Sequence, residues 1–380
     1  MNFPPGQPPM KKLVLLGGGH AHVHVLKSLA VAPMTGVEVT LISPYARQVY
    51  SGMLPGWVAG HYSIDQCVIP LAPLCRAANA SFVETAGNYI DFPQRLVRCV
   101  DGAEIAFDVL SIDTGPMANT SVIPGAGGHA VSVRPIESFI KAFAMIERDV
   151  AGRHGAGKAT DMVFVGAGAA GIELALSMQQ AFRDRNVTFT LVSAANTLPG
   201  SVGPRLERIL SRRGFRLLAG KTADRIELGR VHLKSGEMIS ADHIIVSTGA
   251  SAAEWPRNSG LRTDEAGFIL VDEHLQSVSH PGVFAAGDCA SMLGHPRPKS
   301  GVYAVRAGPP LAENLRRQLR GEALMTYVPQ ERSLYLISAG DRYAIGSWGR
   351  FAWEGKWVWK WKDRIDRGFM AKYSLPELPR

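Results

Sequence analysis

Short apolar runs that end in glycine clusters open the chain, and the same pattern returns in its middle. Lys12 to Leu16 predicts a strand, Gly17, Gly18 and Gly19 a tight turn, and Ala21 to Ala30 a helix. The second occurrence runs from Met162 to Val165, through Gly166, Gly168 and Gly171, into helical periodicity up to Phe182. Each is followed by an apolar strand, VEVTLIS from Val37 to Ser43 and VTFTLVS from Val187 to Ser193. The glycine turns lie 149 positions apart and these later strands 150 apart.

The far ends of the two copies match as well. Val97 to Gly115 aligns without a gap on Val231 to Gly249, with six identities in 19 positions. Both predict a hairpin, turning at Asp101-Gly102 or Ser235-Gly236, and then a buried strand that runs into Thr114-Gly115 or Thr248-Gly249. The repeated unit is therefore strand, glycine turn, helix, strand, hairpin, closing strand. That order predicts an α/β fold with two Rossmann-like three-layer domains. In each turn the missing Cβ lets backbone approach a pyrophosphate, and the following helix points its free N–H groups and positive dipole end at it.

Composition narrows the class. Hydrophobic residues at 46% and charged residues at 19% are the balance of a globular chain, not a disordered one. No apolar run approaches the ~18 to 20 residues of a membrane-spanning helix. The proline-rich start, MNFPPGQPPMKK, has no apolar centre and is read as lacking a signal peptide. Cys67, Cys75, Cys99 and Cys289 form no CxxC or CxxxxC pair, which points to a reducing cytoplasm and away from a redox-active disulfide. Nucleic-acid binding has only the net charge of +8 in its favour and is set aside.

After the second unit, Val283 to Ala290 reads as a strand ending in Gly287-Asp288. With the two turns, this motif resembles the two-dinucleotide flavoproteins that include the pyridine nucleotide-disulfide oxidoreductases. The resemblance implies that Asp288 returns to the first domain and hydrogen-bonds the ribitol chain of FAD. It implies an FAD domain of residues 11–122 and 260–321, an inserted NAD(P)H domain of 123–259, and a small α+β region of 322–380. The stretch QVYSGMLPGWVAGHYSIDQCVIPLAPLC and the stretch PKSGVYAVRAGPPLAENL look more narrowly like type II NADH dehydrogenases and the flavoprotein domain fused to selenide, water dikinase.

That likeness implies hydride transfer from NAD(P)H through FAD to an acceptor, with the protein positioning and tuning the cofactors. Glu173 matches a family glutamate near the nicotinamide, in a positioning or proton-relay role; as an acid near a helix start it could equally serve the dipole. Lys299, in PKSG before a helix aimed at the isoalloxazine, would stabilise negative charge on the reduced ring, or else be a solvated loop lysine. Tyr50, Ser51 and Tyr303 are candidates for the flavin's other face. His20 falls beside the FAD pyrophosphate and His24 on the helix surface. No metal is expected of His20, His22 and His24, since a phosphate turn needs none. Cys289 reads as a packed thiol.

Three departures matter. His22 replaces the third glycine of the first turn, so helix and strand must pack differently there. Ser43 and Ser193 stand where an acid usually takes the ribose hydroxyls, which leaves NADH against NADPH open. Gly301, Val302 and Arg306 replace the two glutamines expected beside a quinone.

Five of seven tryptophans, Trp348, Trp353, Trp357, Trp359 and Trp361, crowd the chain's end. Trp353, Trp357, Trp361, Ile365, Phe369 and Tyr373 recur every four positions and predict one aromatic stripe on a helix, which Gly355 and Gly368 would weaken. Seven Lys/Arg against three Asp/Glu between Arg350 and Lys372 give this stretch a net +4. Aromatic and basic residues together suit an anionic membrane surface, placing the protein in the cytoplasm and peripherally on the membrane's inner face. The same stripe could instead cap the flavin domain or line a homodimer interface. The acceptor is accordingly a quinone, or a soluble one such as oxygen, a redox protein or a sulfur or selenium compound; a non-enzymatic flavin redox sensor is the third alternative.

Overall fold

The computed structural model describes residues 10–373 apart from 119, 121 and 199; the proline-rich start and the last residues of the 322–380 region lie outside the described residues. The first glycine unit begins with β1 (Lys11–Leu16), α1 (His20–Val31), β2 (Val37–Ile42), β3 (Ala80–Val83) and β4 (Val109–Ile112). The second comprises β5 (Val131–Ser132), α2 (Ile136–Gly155), β6 (Thr160–Val165), α3 (Ala169–Ala181), β7 (Val187–Val192), α4 (Gly203–Arg212), β8 (Arg216–Leu218) and β9 (His243–Val246). The chain then returns through β10 (Val283–Ala285) and α5 (Gly301–Arg320).

Two parallel sheets result, ordered β10-β4-β1-β2-β3 and β5-β9-β6-β7-β8. Their central strands are buried from end to end once past their first residues, as parallel strands covered on both faces must be. β10 completes the first sheet from beyond the second, and Leu261, Ile269 and Val271 join the first core with it. The repeated hairpins appear as three-stranded antiparallel sheets, Gly87–Asp91 with Leu96–Cys99 and Glu104–Ala106, and Ala223–Glu227 with Arg230–Leu233 and Met238–Ser240.

The C-terminal region is a three-stranded antiparallel sheet of β11 (Leu334–Ser338), β12 (Ala344–Trp348) and β13 (Phe351–Gly355), followed directly by α6 (Lys356–Tyr373). The aromatic stripe is therefore not all helical. Trp353 lies on β13, because Gly355, at φ +150, ends the strand and starts the helix. Its ring still stacks on Trp361, at 6.3 Å, and Trp361 on Trp357, at 6.4 Å. Gly368 leaves the helix unbroken.

The stripe also divides in two. Trp357, Trp361 and Ile365 are 56%, 38% and 42% exposed, while Phe369 and Tyr373 are buried in the core of the first sheet. His24, expected on a helix surface, packs beneath Tyr373, whose hydroxyl lies 3.4 Å from its Nδ1. No helix among the described residues is long and apolar enough to cross a membrane.

Candidate functional site

Each glycine turn leaves the carboxyl end of its sheet's central strand and enters a helix, the crevice where open α/β sheets bind ligands. Gly17 and Gly166 have φ of +100 and +111, and a Cβ on either would overlap backbone of the closing strand's end, at Asp113 or Ser247. Gly18 is pressed against Leu71 and Ser43. Gly168, in contrast, caps α3 with nothing within 4 Å of where its Cβ would stand, and the same holds for Gly115 and Gly249. The open side is thus bordered by Gly115 in the first turn and by Gly168 and Gly249 in the second, where the first amides of α3 can face a phosphate across it. Ser43 and Ser193 are buried, each donating its hydroxyl locally, to the carbonyls of Tyr45 and Ala195.

Gly171 sits where a Cβ would overlap the Gly166 carbonyl, which is why the second turn needs its third glycine. The first turn solves the same crowding differently. His22 directs Nδ1 to the Gly17 carbonyl at 2.6 Å and Nε2 to the Ser111 hydroxyl at 2.8 Å. Since a carbonyl only accepts, Nδ1 carries the hydrogen and Nε2 accepts from Ser111. Burial pushes this imidazole down to about 4, so it is a neutral strut between helix and strand. His20 and His24 face other groups, so the three histidines do not converge.

Asp113 was not among the residues singled out from sequence. Its Oδ2 accepts the N–H groups of Ala21 (2.8 Å) and His22 (3.1 Å), filling first-turn amides of α1. Burial raises it to about 7 against the pull of those amides, with Asp288 pushing the same way as burial. The signal was present in the repeat: Asp113 aligns with Ser247, an acid in place of a hydroxyl just past the buried closing strand.

Gly287 and Asp288 follow β10 into the same crevice. Asp288 is buried, takes Arg134 Nη1 at 3.3 Å, and is raised by burial while Arg134 pulls it down. His20, half-buried against the Tyr50 and Phe369 rings and within the field of the same Arg134, has an Nε2 shielded from solvent and unpartnered, and is held neutral because burial and then Arg134 lower it to about 4. An orphaned buried nitrogen, a carboxylate and a glycine-edged turn fit the polar chain of FAD. Cys289 is a packed thiol pushed up to about 12 by burial, and all four cysteines are free and buried. Lys299 donates to the Ala290 carbonyl and lies 3.9 Å from the centre of the Phe268 ring, away from Glu173.

The cation beside Glu173 is Lys362, from α6. Its Nζ donates to Gly52 O (2.6 Å) and Asp366 Oδ2 (2.8 Å) and lies 4.0 Å from Glu173 Oε1. Tyr50 donates to the other Asp366 oxygen at 3.2 Å, and its ring stacks on Phe369 at 4.1 Å. Glu173 accepts the Ser338 N–H at 2.8 Å. Burial raises Glu173 to about 7, which Lys362 and the Ser338 amide only partly offset. Burial alone would lower Lys362, but Asp366 and Glu173 outweigh it and hold the ammonium above its usual range. This cluster joins α3 of the second unit, the Tyr50–Gly52 loop and α6, and Glu173 can take up or release a proton near neutrality.

Two glycine-edged dinucleotide cradles in tandem, with a GD strand returning to the first, define an FAD-dependent NAD(P)H oxidoreductase. The chain belongs to the pyridine nucleotide-disulphide oxidoreductase family, which it matches over residues 11–308. It is similar to the NADH dehydrogenase-like protein YutJ of Bacillus subtilis (strain 168), at 26% identity over 330 residues, 84% of this chain and 87% of that protein. Among solved structures it shares its fold with the sulfide:quinone oxidoreductase of Aquifex aeolicus, with TM-score 0.80 at 19% identity over 96% of this chain and 91% of that one. The NDH2 of Plasmodium falciparum in complex with NADH shares it too, with TM-score 0.74 at 14% identity over 96% and 97%.

Proposed function

We propose that the chain oxidises NAD(P)H and delivers the electrons to a quinone at a membrane surface. In this reading residues 11–122 and 260–321 hold FAD, residues 123–259 hold NAD(P)H, and residues 322–380 form the surface-facing part. Bound FAD would supply the hydride-accepting and electron-transferring chemistry between nicotinamide and acceptor. Asp288, His20 and the Gly17–Gly19 turn hold its polar chain; Gly166, Gly168 and the α3 amides hold the nicotinamide dinucleotide. Glu173 exchanges a proton at the reacting edge, and Lys362 supplies the compensating positive charge.

One observation carries the choice of acceptor. The helix that delivers Lys362 and Asp366 to this cluster turns Trp357, Trp361 and Ile365 outward, with Lys356, Lys360 and Arg364 exposed beside them. Apolar burial and charge attraction, roughly 1 kcal/mol per basic residue near anionic lipid, would seat α6 on a bilayer. The fold is one that a sulfide:quinone oxidoreductase also uses. A soluble acceptor is the second reading, favoured by Gly301, Val302 and Arg306 where glutamines would serve a quinone.

The test is NADH oxidation with ubiquinone in anionic vesicles, beside a soluble dye. Trp357→Ser with Trp361→Ser should release the protein from vesicles and abolish quinone reduction while dye reduction persists. Lys360→Glu with Arg364→Glu, on exposed positions, should weaken binding at low salt. Wild type that ignores vesicles, yet turns over with soluble acceptors, would give the second reading the place.

A further inference from the structure

The end of β7 differs from its counterpart in the first unit in one respect that bears on the choice of dinucleotide. Ser193 follows β7 at the position where a carboxylate would take both ribose hydroxyls of NADH and repel a 2′-phosphate. Its side chain is buried and its hydroxyl is spent on the Ala195 carbonyl at 3.0 Å. The next strand, β8, ends in a turn at Gly220 (φ +69), whose N–H donates to the same Ala195 carbonyl at 2.9 Å. Lys221 then donates its own N–H to the Ser193 carbonyl at 2.8 Å, so a lysine side chain leaves the backbone directly beside the missing acid.

The Lys221 ammonium is only loosely ion-paired. It lies 3.7 Å from Glu237 Oε2, beyond hydrogen-bond range, while Arg216 holds the other Glu237 oxygen at 2.9 Å. Two cations thus share one carboxylate, leaving a local charge of +1. In the first unit Ser43 repeats the serine and its local hydrogen bond, but β3 runs into Glu84, Thr85 and Ala86, with no cation. FAD has no 2′-phosphate, so the lysine appears only in the unit where such a group could arrive.

Building on the assignment of the second unit to NAD(P)H, we infer that this unit accepts a 2′-phosphorylated nicotinamide dinucleotide, with Lys221 as the residue that takes the phosphate. Lysine serves as a point charge for phosphate, and a phosphate monoester carries about −1.5 to −2 at pH 7, with its second ionisation near pH 6.

Calorimetry on the flavin-loaded protein tests this with two fragments, adenosine 2′,5′-bisphosphate and 5′-AMP, at low salt. The bisphosphate should bind ~10-fold tighter or more, and the preference should narrow as pH falls from 7.5 to 5.5 and the phosphate loses charge. Lys221→Ala should bring the two ligands close to equal affinity without changing 5′-AMP binding. Ser193→Asp should weaken the bisphosphate by a similar ~10-fold, while 5′-AMP, whose ribose hydroxyls the new carboxylate can accept, should bind at least as tightly as to wild type. Equal affinities in wild type, or a Lys221→Ala loss that falls on both ligands alike, would overturn the inference. Anaerobic bleaching of the flavin separates it from the reading beneath it. Bleaching by NADH alone defeats only the 2′-phosphate site, whereas bleaching by neither nucleotide defeats the assignment of the second unit itself.

Discussion

Replacing Lys362 with methionine should destabilise the protein strongly at high pH and only weakly at low pH. The ammonium is 12% exposed, 2.8 Å from Asp366 and 4.0 Å from Glu173. At an effective dielectric of about 20 these separations give roughly 6 and 4 kcal/mol of gross attraction, much of it opposing the desolvation of three charges. What the variant loses is set by the carboxylates left buried without a partner, about 3 to 5 kcal/mol. Both carboxyls already titrate above their ordinary values, Glu173 at about 7 against 4.5, through burial first. Without Lys362 both rise further. A group raised on folding contributes stability that is complete below its unfolded value and lost as pH climbs through its folded one. The deficit of the variant relative to wild type should therefore be small near pH 5 and grow through pH 7 to 9. Urea denaturation followed by circular dichroism across that range measures it, and Glu173→Gln with Asp366→Asn in the same background should recover much of the loss at pH 9. A deficit that does not change with pH, or no recovery, would refute the reasoning and leave Lys362 as packing.

Gly168→Ala should fold as wild type, since φ is −66 and no atom lies within 4 Å of the new methyl, yet raise the KM for NAD(P)H by tenfold or so without loss of FAD. Gly171→Ala, whose methyl overlaps the Gly166 carbonyl, should lower the thermal midpoint as well; if the two variants behave alike, the open side of the turn is not where the pyrophosphate lies. Asp288→Ala should weaken FAD retention by ~1 kcal/mol or more, read as flavin content after dialysis, and retention at the wild-type level would remove Asp288 from the flavin site.

The parts of the site legible in the sequence are those imposed by backbone geometry. Gly17, Gly166 and Gly171 are required by atoms a few residues away or by the strand that closes each repeat, so the spacing of small residues reveals them. The return of Val283–Ala285 to the first sheet was readable because a short Gly287-Asp288 motif closes an apolar run there. Lys362 was not, because it acts on Gly52, 310 positions away, and on Glu173, and one lysine among the many basic residues of α6 carries no local mark. The fourfold aromatic period was real but could not say where the helix began or which neighbour each ring would meet. Phe369 and Tyr373 are buried because α6 ends against the first sheet, while Trp357 and Trp361 lie beyond its edge. Asp113 hid just past a buried strand, where it could be told from a loop acid only by the amides it meets.

The return of β10 to the first sheet has a consequence for how the chain is made. As residues leave the ribosome, β1 to β4 emerge early, yet β4 keeps an unpaired row of amides and carbonyls until Val283–Ala285 appears. The second sheet needs only residues 131–246 and can close while the first still waits. The unit that starts first thus finishes last, and a nascent chain stalled between residues 250 and 280 would display a finished second sheet beside an open edge. Such an edge is a template for pairing with other chains, so the interval before β10 docks is when the newborn protein has most need of a chaperone or of speed.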